Sequence, residues 1–393
     1  MSDLLELDAS AISKSTLATP LAWTKMQLEA QSRFGLPQEI KRSQTIQPRP
    51  RTIIRSKSVS LIDSLESANK SASQRQLLIG ELGCGKSTYI LQSIAHALSA
   101  GWIVLYIPRA ISLVDSSSPY AYNAALQTYL QPAIVDHLLS AMLDVNRKAL
   151  KQVKINEALR VDNKEVFASG TTLDAVLDRT LKEHNSAFTR QLVLELVWST
   201  LAKQSEVPVL VAVDDAQVLF GPTLYRNPDF VPLQAYELAV PRSLLNIFIS
   251  PRENAHLKRG AVLATISMTH ANFPAPAELL IAMRESASAE KSSVPWNRVK
   301  KIFASPTCPT RVSEPHAYTE IESQNLTNAR NAQFQLVDVG EKLSRPEAAS
   351  LLHLMSRENA FWAIPDDELF IEKLVESSGN IRSFEQNWRK SLM

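Results

Sequence analysis

The chain has 393 residues, 45% hydrophobic and 21% charged, which excludes a disordered or collagen-like chain and leaves room for a large core with a smaller unit beside it. Forty-two Lys and Arg against 40 Asp and Glu give a net charge of +2, too little for the field of the whole molecule to drive nucleic-acid binding. Two cysteines, Cys84 and Cys308, exclude a disulfide framework and a zinc finger, and no apolar run approaches the roughly 18 residues of a membrane span.

The first ten residues, MSDLLELDAS, carry Asp3, Glu6 and Asp8 and no basic residue. They read as neither a secretory signal nor a conventional mitochondrial presequence. Residues 1–58 read as a basic N-terminal extension. Between Arg33 and Lys57 the basic residues are Arg33, Lys41, Arg42, Arg49, Arg51, Arg55 and Lys57, and Glu39 is the only acid. The stretch from Gln44 to Lys57 holds Pro48 and Pro50 and shows no helical period. It reads as a solvated linker, or as an arm that orders on contact and lies along a phosphate backbone.

A nucleotide-binding core is predicted over 59–340. A short apolar strand, Gln76 to Ile79, stops at Gly80. A helix follows Ser87, with Ile90, Leu91, Ile94 and Leu98 at helical spacing. The second strand is Trp102 to Ile107. Residues 120–203 read as mainly helical, with Leu138, Leu139, Met142 and Leu143 on one helix face and Phe188, Leu192, Leu196 and Val197 on another. The third strand, Val207 to Val213, has no polar side chain, as a parallel strand covered on both faces requires. The fourth is Ala261 to Ile266 and the fifth Phe334 to Val339. Between them, 271–332 reads as an irregular surface insertion. Residues 341–393 read as a helical lid. Ser344 is an N-cap, Glu347 its capping-box partner and Pro346 lies in the first turn. A last helix bears Phe384 and Trp388. Strands alternating with helices predict an α/β fold: a parallel sheet with helices on both faces and its loops gathered at one edge.

Gly80-Glu81-Leu82-Gly83-Cys84-Gly85-Lys86-Ser87 matches the phosphate-loop pattern G-x-x-x-x-G-K-[ST], between a strand and a helix as that chemistry requires. Glycines let successive amides turn inward around phosphates, and the helix N-terminus adds about half a positive charge. Lys86 would reach the β- and γ-phosphates and Ser87 would ligate Mg²⁺. Cys84 either offers a loop-stabilised thiolate or simply packs. The strand ending Val213-Asp214-Asp215 has the Walker B form. Asp214 would hold Mg²⁺ through water; Asp215 stands where many ATPases carry a water-polarising glutamate, one methylene longer. Ser267, with Thr269 behind it, would sense the γ-phosphate, and Arg382 would reach the nucleotide from the lid. The candidate nucleotide-binding residues are therefore Gly80, Gly83, Cys84, Gly85, Lys86, Ser87, Thr88, Ser267 and Arg382. The candidate metal ligands are Ser87 and Asp214, and the candidate catalytic carboxylate is Asp215. No N-K-x-D motif is present, so spacing alone leaves adenine and guanine open.

The segments GELGCGKS, GWIVLYIPRAISLVDSSSPY, YLQP, PVLVAVDDAQVLFGPTLYR, LATISMTH, LSRPEAASLLHLMSRENAFW and SSGNIRSF together resemble the death-associated protein 3 family, in its fungal form. The resemblance covers about Phe34 to the C-terminus. It implies a P-loop NTPase fold of the AAA type with an additional strand and a helical lid. It implies a place in the head of the mitochondrial small ribosomal subunit, among its RNA and proteins and near the large subunit. It also implies a bound GTP or GDP with Mg²⁺. Two functions follow: a ribosomal building block that keeps a purine nucleotide as a folding ligand, or an active AAA- or signalling-type NTPase switch. Asp215 in place of glutamate favours the first.

Overall fold

The computed structural model describes residues 4–8, 11–47, 49–70, 74–161, 164–183, 185–249, 257–288, 294–304, 315–316, 318–358, 360–361 and 365–390; Cys308 lies outside them. The five expected strands form the central sheet: β1 (Gln74–Ile79), β2 (Ile103–Ile107), β3 (Val209–Val213), β4 (Gly260–Thr265) and β5 (Gln335–Asp338). Their order is β5-β1-β4-β3-β2, and every pairing is parallel. β4 thus separates β1, which feeds the phosphate loop, from β3, which ends at Asp214. Ile107 pairs with Val213 and Thr265 with Leu78. These C-terminal ends come out level, so their loops share one edge.

Alternation along each strand builds two cores. Ile79, Leu105, Val211 and Val213 face one side, against the helices Pro132–Leu150, Ala187–Lys203 and Ala277–Ser288. Leu78, Tyr106, Leu210 and Ala212 face the other, against Ser56–Lys70 and Lys86–Ser99. Both faces are dry, which is why the strands read as unbroken apolar runs. On the helix Ala187–Lys203 the buried side is Val193, Leu194, Val197, Trp198 and Leu201. The stripe through Phe188, Leu192 and Leu196 is only half buried, because neighbouring helices cover this helix almost all round and no single stripe marks the core.

The segment read as a linker is folded. Helices Lys25–Phe34 and Gln38–Thr45 precede a strand, Arg51–Ile53, that pairs antiparallel with Pro20–Ala22. Leu7, Leu21, Trp23, Phe34 and Ile54 join the second core. The helix Ser56–Lys70 runs across the expected boundary at residue 58. A capping box was there to be found: Gln27 N donates to Thr24 Oγ1 at 3.3 Å and Thr24 N to Gln27 Oε1 at 3.0 Å. The basic residues also have partners within the chain. Arg33 pairs with Asp144, Arg49 with Glu6, Arg51 with Glu358, Arg55 with Glu347 and Lys57 with Glu341. Five of the seven basic residues from Arg33 to Lys57 thus face this chain's own carboxylates, the Arg33, Arg49 and Lys57 pairs at the surface and the Arg51 and Arg55 pairs buried.

Among its described residues, the insertion expected to be irregular contains three helices, Ala277–Ser288, Trp296–Phe303 and Ser323–Ala332. Leu279, Met283, Ile302, Phe303 and Ala329 bury into the first core. After β5 come the helices Arg345–Arg357, Asp367–Glu376 and Ile381–Lys390. They enclose a small core of Leu343, Leu351, Met355, Phe361, Phe384 and Trp388, and Ile53 from the N-terminal strand completes it. The two ends of the chain therefore share one core. The Ser344–Glu347 capping box forms, with Ser344 N donating to Glu347 Oε2 at 2.8 Å.

Candidate phosphate-binding site

β1 ends at Ile79, and the helix Lys86–Ser99 begins after six intervening residues. Gly83 and Gly85 stand at φ +79° and +102°, where only glycine sits without strain. The loop's carbonyls are committed to donors one after another. Lys86 Nζ donates to Gly80 O at 2.7 Å and Glu81 O at 3.1 Å. Asn380 Nδ2 donates to Leu82 O at 2.8 Å. Arg382 N donates to Gly83 O at 3.3 Å, and Arg55 Nη1 to Cys84 O at 3.3 Å. Carbonyls taken up in this way fix the loop's shape, as a turn that is to cradle an anion with its free amides requires. Cys84 is buried and packs; a Cβ at Gly80 would stand 2.7 Å from its Sγ. That contact is one reason position 80 is glycine.

Across the cavity lie the ends of β3 and β4. Asp214 is buried and accepts hydrogen bonds from Ser87 and Thr265 side chains and from Asp215 N at 3.1 Å. Burial pushes its carboxyl up, opposed by Ser87, Thr265 and Lys86. Asp215 follows in a left-handed conformation, φ 60°, which aspartate tolerates. Burial, then the neighbouring Asp214 charge, pushes Asp215 up to about 7; the Ser267 hydroxyl and Arg109 oppose the rise. Two adjoining buried carboxylates suit a divalent cation, and Ser87 with Asp214 is the donor pair that would hold Mg²⁺.

These residues and the loop line one cavity of about 780 Å³, with the helix Gln38–Thr45 and the helix Ile381–Lys390 as its other walls. Every candidate residue borders it except Gly80, which lies beneath Cys84. Ser267 also bonds Thr269 Oγ1 at 2.8 Å, and Arg382 pairs with Glu39 at 2.7 Å. Five contributors had not been singled out. Gln217 clamps the β4 exit, accepting from Ser267 N at 3.1 Å and donating to Ser267 O at 2.9 Å. Thr265 braces Asp214. Arg55 and Asn380 hold the loop from opposite ends of the chain. Arg109 enters the cavity beyond β2. Gln217 and Thr265 were visible as polar residues within apolar runs; Arg109 was visible as a cation two residues after a strand.

The parallel sheet, the strand–loop–helix turn and the acidic end of β3 define the class: an α/β protein of P-loop-like architecture. The family described as mitochondrial ribosomal death-associated protein 3 matches residues 52–387, and the chain belongs to it. Three relatives carry the name small ribosomal subunit protein mS29. The Neurospora crassa protein is 27% identical over 252 residues, covering 63% of this chain and 52% of the relative. The Schizosaccharomyces pombe protein is 28% identical over 196 residues, 49% of this chain and 40% of the relative. The Bos taurus protein is 26% identical over 228 residues, 56% of this chain and 55% of the relative. The chain spans about half the length of these curated relatives. Among the described residues, no helix is long and apolar enough to cross a membrane.

Proposed function

We propose that this chain is a structural component of the mitochondrial small ribosomal subunit that keeps a purine nucleotide, GTP or GDP, with Mg²⁺ in the loop Gly80–Ser87. Its partners in this reading are the subunit's RNA and proteins, with the large-subunit contact that the family resemblance implies. The names of the relatives support the ribosomal part. The AAA-type reading is supported by the position of β4 between β1 and β3, the additional strand of that group. The observation that carries the nucleotide part is the set of ties on Gly80 to Cys84. Donors from the N-terminal segment, the loop helix and the C-terminal helices converge on one short turn. A ligand seated there stabilises three parts of the chain together. Ligand at about 100 times its Kd adds about 2.7 kcal/mol, a large share of a stability of about 5–15 kcal/mol. No turnover is needed.

The test is to release and identify by mass any nucleotide carried by the purified protein, and to melt the protein with and without GTP or GDP and Mg²⁺. A bound purine nucleotide and a higher melting temperature with ligand are expected. Lys86→Ala is expected to abolish that rise. An intact protein that holds no nucleotide and melts identically in all conditions would overturn the reading.

Turnover is the second reading, favoured by Asp215, whose carboxyl titrates near neutrality where a general base is useful. Rapid single-turnover hydrolysis that disappears in Asp215→Ala would replace the structural reading with the enzymatic one.

A further inference from the structure

Arg109 is placed by backbone geometry. Ile107 pairs with Val213 in parallel register. Beyond that pair Asp214 N donates to Ile107 O and Ala110 N to Asp214 O, both at 2.9 Å. Of the two residues between those bonds, Pro108 and Arg109, the second is held beside the Asp214–Asp215 turn, at the edge of the sheet where the phosphate loop opens. Its side chain borders the same cavity as Lys86, Ser87, Asp215 and Ser267. Its Nε is shut off from solvent and has no hydrogen-bond partner among the described residues. No ion pair among those residues engages it either. The guanidinium nevertheless acts on its surroundings: it opposes part of the rise of the Asp215 carboxyl, and it adds to burial, the larger cause, in lowering the His270 imidazole.

A half-buried guanidinium with an unused donor is poorly satisfied by its own protein. In this cavity the missing partner is an anion. The loop and the helix N-terminus suit the first phosphates of a nucleotide chain. A phosphate beyond those would lie in the part of the cavity lined by Asp215 and Ser267, where Asp215 would repel it. A guanidinium there offsets that repulsion and donates along a fixed fork.

We propose that Arg109 forms a terminal-phosphate subsite, so that the cavity prefers a nucleoside triphosphate to a diphosphate. The inference rests on the nucleotide reading above and adds the phosphate count to it. The arrangement is legible only in three dimensions, since Arg109 and Asp215 come from different strands.

The experiment measures Kd for GTP and for GDP, each with Mg²⁺, on the full chain and on Arg109→Gln and Arg109→Lys. The wild type is expected to favour GTP by about tenfold or more, the scale of a hydrogen bond to a charged group. Arg109→Gln is expected to lose that preference, with GDP affinity within about twofold of wild type. Arg109→Lys, which keeps the charge without the fork, is expected to fall between. Equal losses for both ligands, or no loss for either, would overturn the subsite while leaving the nucleotide reading intact. Failure of the wild type to bind either ligand would overturn both. If Arg109→Gln does not fold, the GTP-to-GDP ratio of Arg109→Lys decides: a ratio unchanged from wild type counts against the subsite, and a reduced one supports it.

Discussion

Asn380 donates its side-chain amide to the carbonyl oxygen of Leu82 at 2.8 Å, and its Oδ1 accepts from Ser383 N at 3.2 Å. One side chain thus caps the last helix and ties it to the phosphate loop. Asn380→Ala removes both bonds and is expected to cost about 1–3 kcal/mol, read as a lower urea midpoint at unchanged slope. Asn380→Asp keeps the cap but sets a carboxylate against the Leu82 carbonyl. It is expected to weaken nucleotide binding while the last helix stays folded. An Asp variant that binds nucleotide as the wild type does would detach this contact from the site.

Arg55 is buried to 4% exposure and serves four acceptors: Glu347 Oε1, Cys84 O, the Tyr89 hydroxyl and Glu341 O. It joins the N-terminal segment, the loop and the C-terminal helices at one point. Arg55→Met leaves the Glu347 carboxylate buried without its cation, at a cost of about 3–5 kcal/mol. Arg55→Lys is expected to recover little, because three donors on one nitrogen cannot reproduce the fork. Glu347→Gln retains the cap on Ser344. The double variant Arg55→Met/Glu347→Gln is therefore expected to lose clearly less than the two single losses added together. Additive losses in denaturant melts would show that the two side chains do not act as a pair.

The central sheet was readable because each strand is buried on both faces, so its apolar run is unbroken from Val209 to Val213 or Ala261 to Ala264. The phosphate loop and Asp214 were readable because their chemistry requires particular residues at fixed spacing. The N-terminal helices were not. Lys25–Phe34 buries Gln27 and Gln31 alongside Ala30 and Phe34, and Gln38–Thr45 buries no residue at all. Their apolar period is therefore faint or absent. The same holds for Ser323–Ala332, which buries Asn325 and Asn328. Arg55 and Asn380 were invisible as site residues for a different reason. Their contacts on the loop, Cys84 O and Leu82 O, lie 29 and 298 positions away along the chain, and a local pattern carries no trace of such contacts.

The acidic turn makes the metal-free protein sensitive to pH. The folded-state value of Asp215, about 7, lies above its ordinary 3.8. Between those values the native state holds a proton that the unfolded chain gives up. Stability from this group is full below about pH 4, falls as pH rises, and levels off above about 7. Asp214 is raised as well and adds to the same slope. In chelator, Asp215→Asn is expected to flatten this part of the profile and to melt higher than wild type at pH 8. Asparagine accepts the left-handed backbone of this position, so the comparison isolates the charge. Added Mg²⁺ should narrow the gap by neutralising the pair. A difference curve between variant and wild type that stays flat from pH 4 to 8 would refute the assignment.

Gly83 and Gly170 separate backbone strain from contact with the C-terminal helices. Both have left-handed backbones, φ +79° and +87°. A Cβ at Gly170 would meet nothing within 4 Å, whereas one at Gly83 would stand 2.8 Å from both Arg382 Cβ and Asn380 Oδ1. Gly170→Ala therefore carries only the conformational cost, about 1 kcal/mol. Gly83→Ala carries that cost and also pushes the start of the last helix off the loop, breaking the Asn380–Leu82 and Arg382–Gly83 bonds. It is expected to lose at least about 1–2 kcal/mol more and to bind nucleotide more weakly, while Gly170→Ala binds as wild type. Equal drops in melting temperature for the two variants would mean that the C-terminal helices do not rest on the phosphate loop in solution. A larger drop for Gly83→Ala that disappears when residues beyond 378 are removed would trace the extra cost to that contact alone.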